Sequence, residues 1–541
     1  MGAGPSCDHE APDQLDIEAV DAANPRVEIL EMNEGMQCSG DTDAGKSDVN
    51  KGMNDDSRSP RDESERHPRV RISKILTVTS KELMKGISMK GTLQSWGRLW
   101  RQSPIDLPEK ERAALWTHSR QVDHFDMFLS HTWATSGRWK YLALSFQHAW
   151  PYVVLTWLLA MVVVELLTCL DLVPAISHAS FSYQGFMEEC PFSGLGLLVA
   201  MPVSVLTFFF APYFPDIGCK KQCCFLDVVS INQVDKEMMR QGIYGLGGFL
   251  GASKELRILY SAPYLTRLWC VFELGAFRMA NPSGRIRFAP LFVEIGAASA
   301  WLGGTVAVVV YYLLSAGTGL EALVTLVFAA IPVFVVFHLL RTNLSQKRQV
   351  FYDLATFELS AAGCRTAADQ EFIYAAIESW YGSLDAFTAY VRGPLRDELL
   401  ANHVGTSLPW NYAMMIATPW ITLGMDALAA QVRAGAPIHN LVSYGCGVSL
   451  GLFGFWWIAV VQFAMLLAGR FPMPRNSLWG LAQSLVLYLL CIAFIFSGVY
   501  IGRWAYKESV TASLAWCAVS GMLAWLTSGG LKASQCALRH S

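Results

Sequence analysis

Charged side chains are scarce in this sequence of 541 residues, of which 16% are Asp, Glu, Lys or Arg and 52% are hydrophobic. Soluble globular proteins carry about 25% charged residues, so the composition excludes a wholly soluble or disordered protein. Neither sign dominates, since 42 Lys and Arg face 45 Asp and Glu, and this balance gives no indication of nucleic-acid binding. The 13 cysteines are too dispersed for the disulfide framework of a small secreted protein. The sequence therefore predicts a membrane protein with soluble parts.

The first 68 residues lack aromatic side chains altogether. Their 17 Asp and Glu against 6 Lys and Arg give a net charge of −11. A segment of this kind cannot bury enough apolar surface to fold, which predicts a disordered acidic tail at 1–68. The next segment, 69–121, is basic, and we interpret it as a linker with helical parts. Its tryptophans leave a second interpretation open, in which the segment lies on anionic lipid.

Long apolar runs begin after residue 150. A helix that crosses a membrane needs roughly 20 mostly apolar residues. Eight runs reach that length, and the fifth is the weakest because it contains Pro419 and Asp426. The predicted spans are 152–173, 193–214, 296–315, 321–340, 411–430, 441–468, 478–501 and 510–530.

The basic residues orient these spans. Ten Lys and Arg lie between the second and third spans and six between the fourth and fifth. Cytoplasmic loops are enriched in Lys and Arg, so both termini and the two large loops are predicted to be cytoplasmic. Ionisable residues inside spans often mark ion or substrate pathways. Glu165, His338 and Asp426 do not resemble a relay, and we expect them near helix ends or facing a neighbouring helix.

Two polar stretches on either side of the first pair of spans indicate an α/β domain. Apolar runs at 125–130, 223–229 and 256–261 are typical of buried strands, and 287–293 is a fourth candidate. A helix at 137–150 continues into the first span, and another helix follows residue 264, with Thr266 as its predicted cap. Short strands that alternate with helices predict a parallel sheet.

The same stretches resemble the Toll/interleukin receptor (TIR) domains, especially those of plants and bacteria. That family opens with a strand of the form Tyr/Phe-Asp-x-Phe-Leu-Ser, matched at 125–130, and a later strand ends in Asp, matched by Asp227. The most specific match is Ser-x-x-Tyr-x-x-x-x-Trp-Cys-x-x-Glu-Leu at 261–274. The resemblance covers 122–149 and 219–293, and it implies a flavodoxin-like parallel sheet interrupted by a membrane hairpin.

The resemblance also implies a signalling function through self-assembly, and many TIR domains cleave the nicotinamide–ribose bond of NAD. On this basis Glu273 is the catalytic candidate, and Ser130, His131, Asp227 and Trp269 are the nucleotide-binding candidates. NAD is then the substrate, and no cofactor is required. Other TIR domains are adaptors without activity, so an NAD glycohydrolase and a pure assembly module both stay open. The alternative from another class is a transporter or channel with a regulatory α/β domain.

Short motifs elsewhere carry weaker signals. Segment 40–47 fits the phosphate-binding pattern G-x-x-x-x-G-K-S, but no buried strand precedes it, so no nucleotide site is assigned there. The start of the chain fits N-myristoylation at Gly2, with Cys7 as a second acylation site. Cys219, Cys223 and Cys224 have the chemistry of zinc ligands, but no Cys/His pair follows at the required spacing. Acylation or burial is the simpler interpretation, and no metal site is predicted.

The predicted fold is an α-helical multi-pass membrane protein, with about eight transmembrane helices and a split cytosolic TIR-like α/β domain. Expected partners are the lipid bilayer, further copies of the chain and other TIR-like domains. The predicted order is an acidic tail at 1–68, a linker at 69–121, the split domain at 122–149 and 219–293, hairpins at 150–215 and 294–340, a cytosolic helical segment at 341–409, four spans at 410–531 and a cytosolic tail at 532–541.

Overall fold

A computed structural model describes residues 80–216, 222–317, 322–401, 408–474 and 477–529. The predicted tails, 1–68 and 532–541, lie outside these described residues. The strands are β1 Lys85–Ser88, β2 Arg120–Gln121, β3 Met127–Ser130, β4 Ser177–Tyr183, β5 Phe186–Phe192, β6 Cys223–Phe225, β7 Glu255–Tyr260 and β8 Arg285–Pro290.

Helices make up most of the described chain. They are α1 Met89–Arg101, α2 Glu109–Thr117, α3 Gly137–Cys169, α4 Leu195–Phe210, α5 Asp227–Ser230, α6 Lys236–Tyr244, α7 Leu246–Gly251, α8 Leu268–Ala280, α9 Leu291–Gly317, α10 Ala322–Ala355, α11 Ala367–Tyr381, α12 Leu384–Tyr390, α13 Arg396–Ala401, α14 Trp410–Arg433, α15 Ile438–Tyr444, α16 Trp457–Arg470, α17 Ser477–Glu508 and α18 Val510–Thr527. Two π-helical segments, Val391–Leu395 and Gly445–Trp456, join α12 to α13 and α15 to α16, and short 3-10 helices lie at Lys81–Leu83, Pro104–Asp106, Ala211–Tyr213 and Leu359–Ala361.

One six-stranded sheet combines strands from both sides of the first membrane hairpin. Its order is β2-β1-β6-β3-β7-β8. Strand β3 lies parallel between β6 and β7, with Phe128 paired to Phe225 on one side and to Leu256 on the other. Strand β8 continues the parallel pairing beside β7, whereas β1 and β2 are antiparallel at the opposite edge.

Both faces of this sheet are covered. Phe128 packs with Phe225 in one apolar cluster, while its neighbours Met127 and Leu129 enter a different cluster that includes Trp100. Successive residues of a strand point to opposite faces, so the two clusters lie on opposite sides of β3. This double burial explains why the strand is a continuous apolar run without alternation.

Strand β1 comes from the segment that the sequence suggested as a linker. Ile87 is buried and pairs with Cys224 of β6. Gly86 permits the close approach, because a Cβ there would lie 2.6 Å from Cys223 Sγ. The described part of the segment, 80–121, therefore adds two strands to the sheet, which the linker interpretation did not anticipate.

The strand expected at 223–229 is shorter than predicted, and this expectation is wrong beyond Phe225. Polar side chains accept hydrogen bonds from the backbone N–H groups that a longer strand would use for pairing. The carboxylate of Asp227 accepts the Val228 N–H at 2.7 Å, and the Ser230 hydroxyl accepts the Leu226 N–H at 3.1 Å. A single helical turn, α5, replaces the rest of the strand.

The predicted cap of α8 is also wrong. The helix begins at Leu268, and the Thr266 hydroxyl donates to the Pro263 carbonyl at 2.9 Å and not into the helix. The N–H of Leu268 donates instead to the Gly363 carbonyl at 3.1 Å. The start of α8 is therefore held by the segment that follows α10, a contact that local sequence could not reveal.

Seven helices in the described residues are long and apolar enough to cross a membrane. They include α14, which contains the weakest predicted span, 411–430. The predicted span 321–340 overlaps α10. Among the residues of α10 whose side chains are described, a shorter apolar helical segment lies at Ala330–Ser345. The seven are Gly137–Cys169, Leu195–Tyr213, Leu291–Leu313, Trp410–Arg433, Ile438–Arg470, Ser477–Glu508 and Val510–Thr527.

Helix α14 packs against α3, α4 and α9 inside the bundle. Thr418, Thr422 and Asp426 recur every four residues, so they share one helical face, and all three are buried. The indole of Trp301 donates to Thr418 at 3.3 Å, and that of Trp157 donates to Thr422 at 2.9 Å. Hydrogen bonds between helices thus compensate for the burial of this polar face.

Helices α11 and α12 pack against α8. The ring of Phe272 lies 5.9 Å from Phe372 and 5.5 Å from Trp380, and the Tyr381 hydroxyl donates to the Gly275 carbonyl at 3.1 Å. These contacts hold α8 in place, and α8 carries the carboxylate described next.

Candidate functional site at the carboxyl ends of the strands

The polar residues that the sequence singled out meet at one edge of the sheet. Ser130 is the last residue of β3, Asp227 follows β6, and Ser261 follows β7. Parallel strands present their carboxyl ends at the same edge, which is where ligands bind in open α/β sheets. The hydroxyls of Ser261 and Thr135 hydrogen-bond across this edge at 2.5 Å.

Glu273 reaches this edge from α8. The Ser130 hydroxyl donates to Glu273 Oε2, and the hydroxyls of Ser130 and Tyr264 are also hydrogen-bonded. A serine hydroxyl carries a single proton, so when Ser130 donates to an ionised Glu273, Tyr264 donates to Ser130. Ser130 and Tyr264 are both buried. The chain Tyr264–Ser130–Glu273 therefore holds the carboxylate in one position.

The pKa of Glu273 is raised to about 8, mainly by burial and also by the negative charge of Asp227, while the hydrogen bond from Ser130 opposes both effects. At neutral pH the free site accordingly favours the protonated carboxyl. A positive charge placed beside Glu273 would favour the ionised form. Shifted pKa values of this kind are characteristic of functional sites.

His131 and Trp133 line the approach to Asp227. The indole of Trp133 donates to Asp227 Oδ2 at 2.9 Å, and His131 Nε2 lies 4.0 Å from Asp227 Oδ1. The pKa of His131 is lowered to about 4, mainly by burial and also by the charge of Lys140, while Asp227 acts in the opposite direction. His131 is therefore a neutral imidazole at physiological pH, packed edge-on against Trp100 and Trp133.

Lys140, from the first turn of α3, completes the site. Its side chain is fully buried (0% exposed), and its ammonium lies 4.8 Å from the centre of the Trp133 ring. Neither Lys140 Nζ nor His131 Nε2 has a hydrogen-bond partner among the described residues. Buried donors are normally paired, so the Lys140 ammonium suits an anionic group. The sequence did not single out Lys140, although a lysine at the start of an apolar helix was a usable signal.

Trp269 differs from the other nucleotide-binding candidates. Its ring packs against Phe272 at 5.4 Å and Phe372 at 6.3 Å, within the contact between α8 and α11. Tyr264 and Lys140, which the sequence did not assign to the site, take part in the polar cluster described above. The structure therefore brings together Ser130, His131, Asp227 and Glu273, and gives Trp269 a packing contact.

The remaining motifs contribute no contact to this site. Cys223 and Cys224 are buried in β6, and the described ranges hold no group of three or more His, Cys, Asp or Glu arranged for a metal ion. Gly2, Cys7, Cys219 and segment 40–47 lie outside the described residues.

Comparison with known proteins gives no relative for this chain: no family model, curated protein or solved structure matches it.

Proposed function

We propose that the chain is a membrane-anchored TIR-like signalling protein, which acts through assembly of its α/β domains and cleaves NAD at Glu273. The observation that carries the proposal is the placement of Glu273, hydrogen-bonded to Ser130 at the carboxyl ends of parallel strands. The resemblance at 125–130 and 261–274 supplies the reaction, and the burial and electrostatics of the site support it.

The chemistry needs little more than a positioned carboxylate. Nicotinamide leaves NAD as a neutral molecule, so its departure requires no general acid. The ribose passes through an oxocarbenium-like state, and water then adds to its C1 and loses a proton to solvent, which gives ADP-ribose. A carboxylate held beside the ribose stabilises the developing positive charge. Because the pKa of free Glu273 is about 8, the cationic pyridinium of bound NAD would promote its ionisation.

One further residue suits the phosphates of the same substrate. Lys140 is buried without a hydrogen-bond partner in the described chain, and the unpartnered nitrogen of His131 belongs to the same cluster. A lysine ammonium is a strong phosphate ligand. In this proposal Lys140 binds the pyrophosphate while Glu273 faces the ribose.

Nicotinamide release by the purified full-length protein tests the proposal. Glu273→Gln keeps an oxygen that accepts the Ser130 hydrogen bond but removes the charge, so the rate should fall roughly a hundredfold. Glu237→Gln is the matched control, because Glu237 is an exposed surface residue paired with Arg240. Equal NAD consumption by the wild type and the Glu273→Gln variant would exclude catalysis at Glu273 and leave only the assembly function.

A second candidate function, a transporter or channel with a regulatory α/β domain, is favoured by one observation inside the bundle. Glu165 of α3 and Asp426 of α14 are 8% and 1% exposed. They approach the same point, because a Cβ on Gly196 would lie 2.7 Å from Glu165 Oε1 and 2.6 Å from Asp426 Oδ1. Asp426 accepts the N–H groups of Gly196 and Leu197 at 2.9 and 3.0 Å.

The oxygens of Glu165 have no hydrogen-bond partner in the described chain. Two adjacent carboxylates in a low-dielectric interior cannot both be ionised, so this candidate assigns a proton to Glu165. Proteoliposomes with an internal pH dye test it. Proton flux in the wild type that Glu165→Gln abolishes would support a transporter, and the absence of flux in the wild type would remove this candidate.

A further inference from the structure

A cavity of about 550 Å³ lies beside α3, away from Glu273. It is bounded by α1, the edge strand β2, α3 and the sheet strand β7. This volume falls in the range of small-molecule binding sites.

The lining of the cavity changes from apolar to basic along α3. At one end it includes Leu155, which is 39% exposed and is followed by exposed leucines and valines along the helix. Trp150 and Tyr152 come next, and aromatic residues of this kind mark the boundary between hydrocarbon and headgroups. At the other end lie Lys90 and Arg120. The cavity therefore runs from the membrane-facing surface of α3 towards the sheet.

Cations exceed anions around the basic end. Lys90 is paired with Asp216 at 2.6 Å, and Arg257 is paired with Glu255 at 2.6 Å. Arg120 is exposed and has no carboxylate partner among the described residues. Among the described residues, these pairings leave one positive charge in excess at the cavity.

An additional polar atom in the wall lacks a partner. His148 lines the cavity, and its Nε2 is buried without a hydrogen bond in the described part of the chain. A phosphate placed beside this nitrogen would favour the protonated ring, which can donate a hydrogen bond to it.

Aromatic side chains beside α1 place this region at the membrane surface. Trp96 and Tyr213 are exposed, and Trp96 lies 5.3 Å from Phe209 and 6.0 Å from Phe210 at the end of α4. The backbone of α1 is left-handed at Trp96 (φ 57°), and the adjacent Ser95 N–H donates to the Tyr213 hydroxyl at 2.7 Å. The strained turn of α1 therefore holds the Trp96 indole against the end of α4.

We propose that this cavity binds the headgroup of a phospholipid of net charge −1, with the phosphate at Arg120 and His148 and an acyl chain along Leu155. A zwitterionic lipid carries the same phosphate but adds a cation, which the excess positive charge disfavours. The bound lipid would fix the angle between α3 and the sheet.

Binding of fluorescent phosphatidylglycerol and phosphatidylcholine to the delipidated full-length protein in detergent tests the proposal. Phosphatidylglycerol should bind more tightly, and Arg120→Glu should weaken its binding roughly tenfold, about the value of one charge-assisted hydrogen bond. Arg120→Gln should give an intermediate loss. Arg98→Glu is the matched control, since Arg98 is exposed on α1, is paired with Glu111 and does not line the cavity.

Equal weakening by Arg98→Glu and Arg120→Glu would show that only general surface charge matters and would overturn the proposal. Equal affinity for phosphatidylcholine would overturn it as well. A third arm uses glycerophosphoglycerol, the headgroup without acyl chains. If this soluble compound competes as well as the intact lipid, the cavity is a site for free phosphate esters and the lipid assignment is wrong.

Discussion

At the residue scale, the hydrogen bond from Ser130 favours the ionised form of Glu273. Burial and Asp227 raise the pKa of this carboxyl, Ser130 opposes them, and the resulting pKa is about 8. If the ionised form is the active one, kcat/KM for NAD should increase with pH and level off above about pH 8. Ser130→Ala should move this midpoint upward. Ser261→Ala is the control, because Ser261 bonds Thr135 at the same edge, and it should leave the midpoint unchanged.

The same carboxyl links stability to pH. The pKa of Glu273 is about 8 in the folded protein against an ordinary value of 4.5. A group whose pKa is raised on folding contributes stability that is complete below the lower value and is lost as the pH rises through the upper one. Glu273→Gln has no such loss, so its Tm relative to the wild type should increase from pH 5 to pH 8. A constant difference in Tm across that range would contradict the raised pKa.

Single residues also show which contacts could be predicted from the sequence and which could not. The resemblance at 125–130 and 261–274 assigned Ser130 and Glu273 to one site, and the two side chains are hydrogen-bonded in the structure. The meeting of Glu165 with Asp426 could not be predicted, since the two positions lie on different helices and only the packing around Gly196 brings them together. Trp269 was assigned to the site by resemblance alone, and its observed contacts are with Phe272 and Phe372.

At the scale of elements, close packing at Gly137 joins α3 to α1. A Cβ at this position would lie 1.5 Å from the Trp100 carbonyl oxygen, which cannot move without displacing α1. Gly137→Ala should therefore destabilise the protein by about 1–3 kcal/mol, measured as a lower Tm. Gly393→Ala is the control, because the space around that glycine is open. Equal effects of the two substitutions would contradict the packing described.

Elements were predicted best where the apolar run was long. Helix α3 was anticipated as one helix that continues into a span, because its pattern persists through Gly137–Cys169. Strand β1 was missed, because four residues with a glycine among them carry little signal. The end of β6 was misplaced because Val228 and Val229 favour strands locally, while Asp227 and Ser230 bond the backbone into a turn.

At the scale of the whole molecule, the first helical hairpin separates two faces. Strands β4 and β5 join α3 to α4 at one end, and the sheet lies at the other end. Met187 is 73% exposed on the β hairpin, and the Lys254 side chain is 64% exposed beside the sheet. A membrane-impermeant maleimide should label Met187→Cys in intact cells, and Lys254→Cys only after permeabilisation. Labelling of Lys254→Cys in intact cells would contradict a cytoplasmic sheet.

The central claim is that the sheet assembled across this hairpin makes Ser130 and Glu273 one functional unit. A double-mutant cycle on nicotinamide release by the full-length protein tests it most directly, using Ser130→Ala, Glu273→Gln and both together. Since Ser130 acts through Glu273, the double variant should be no slower than Glu273→Gln alone. Strictly additive losses, or a wild-type rate in Glu273→Gln, would contradict the account.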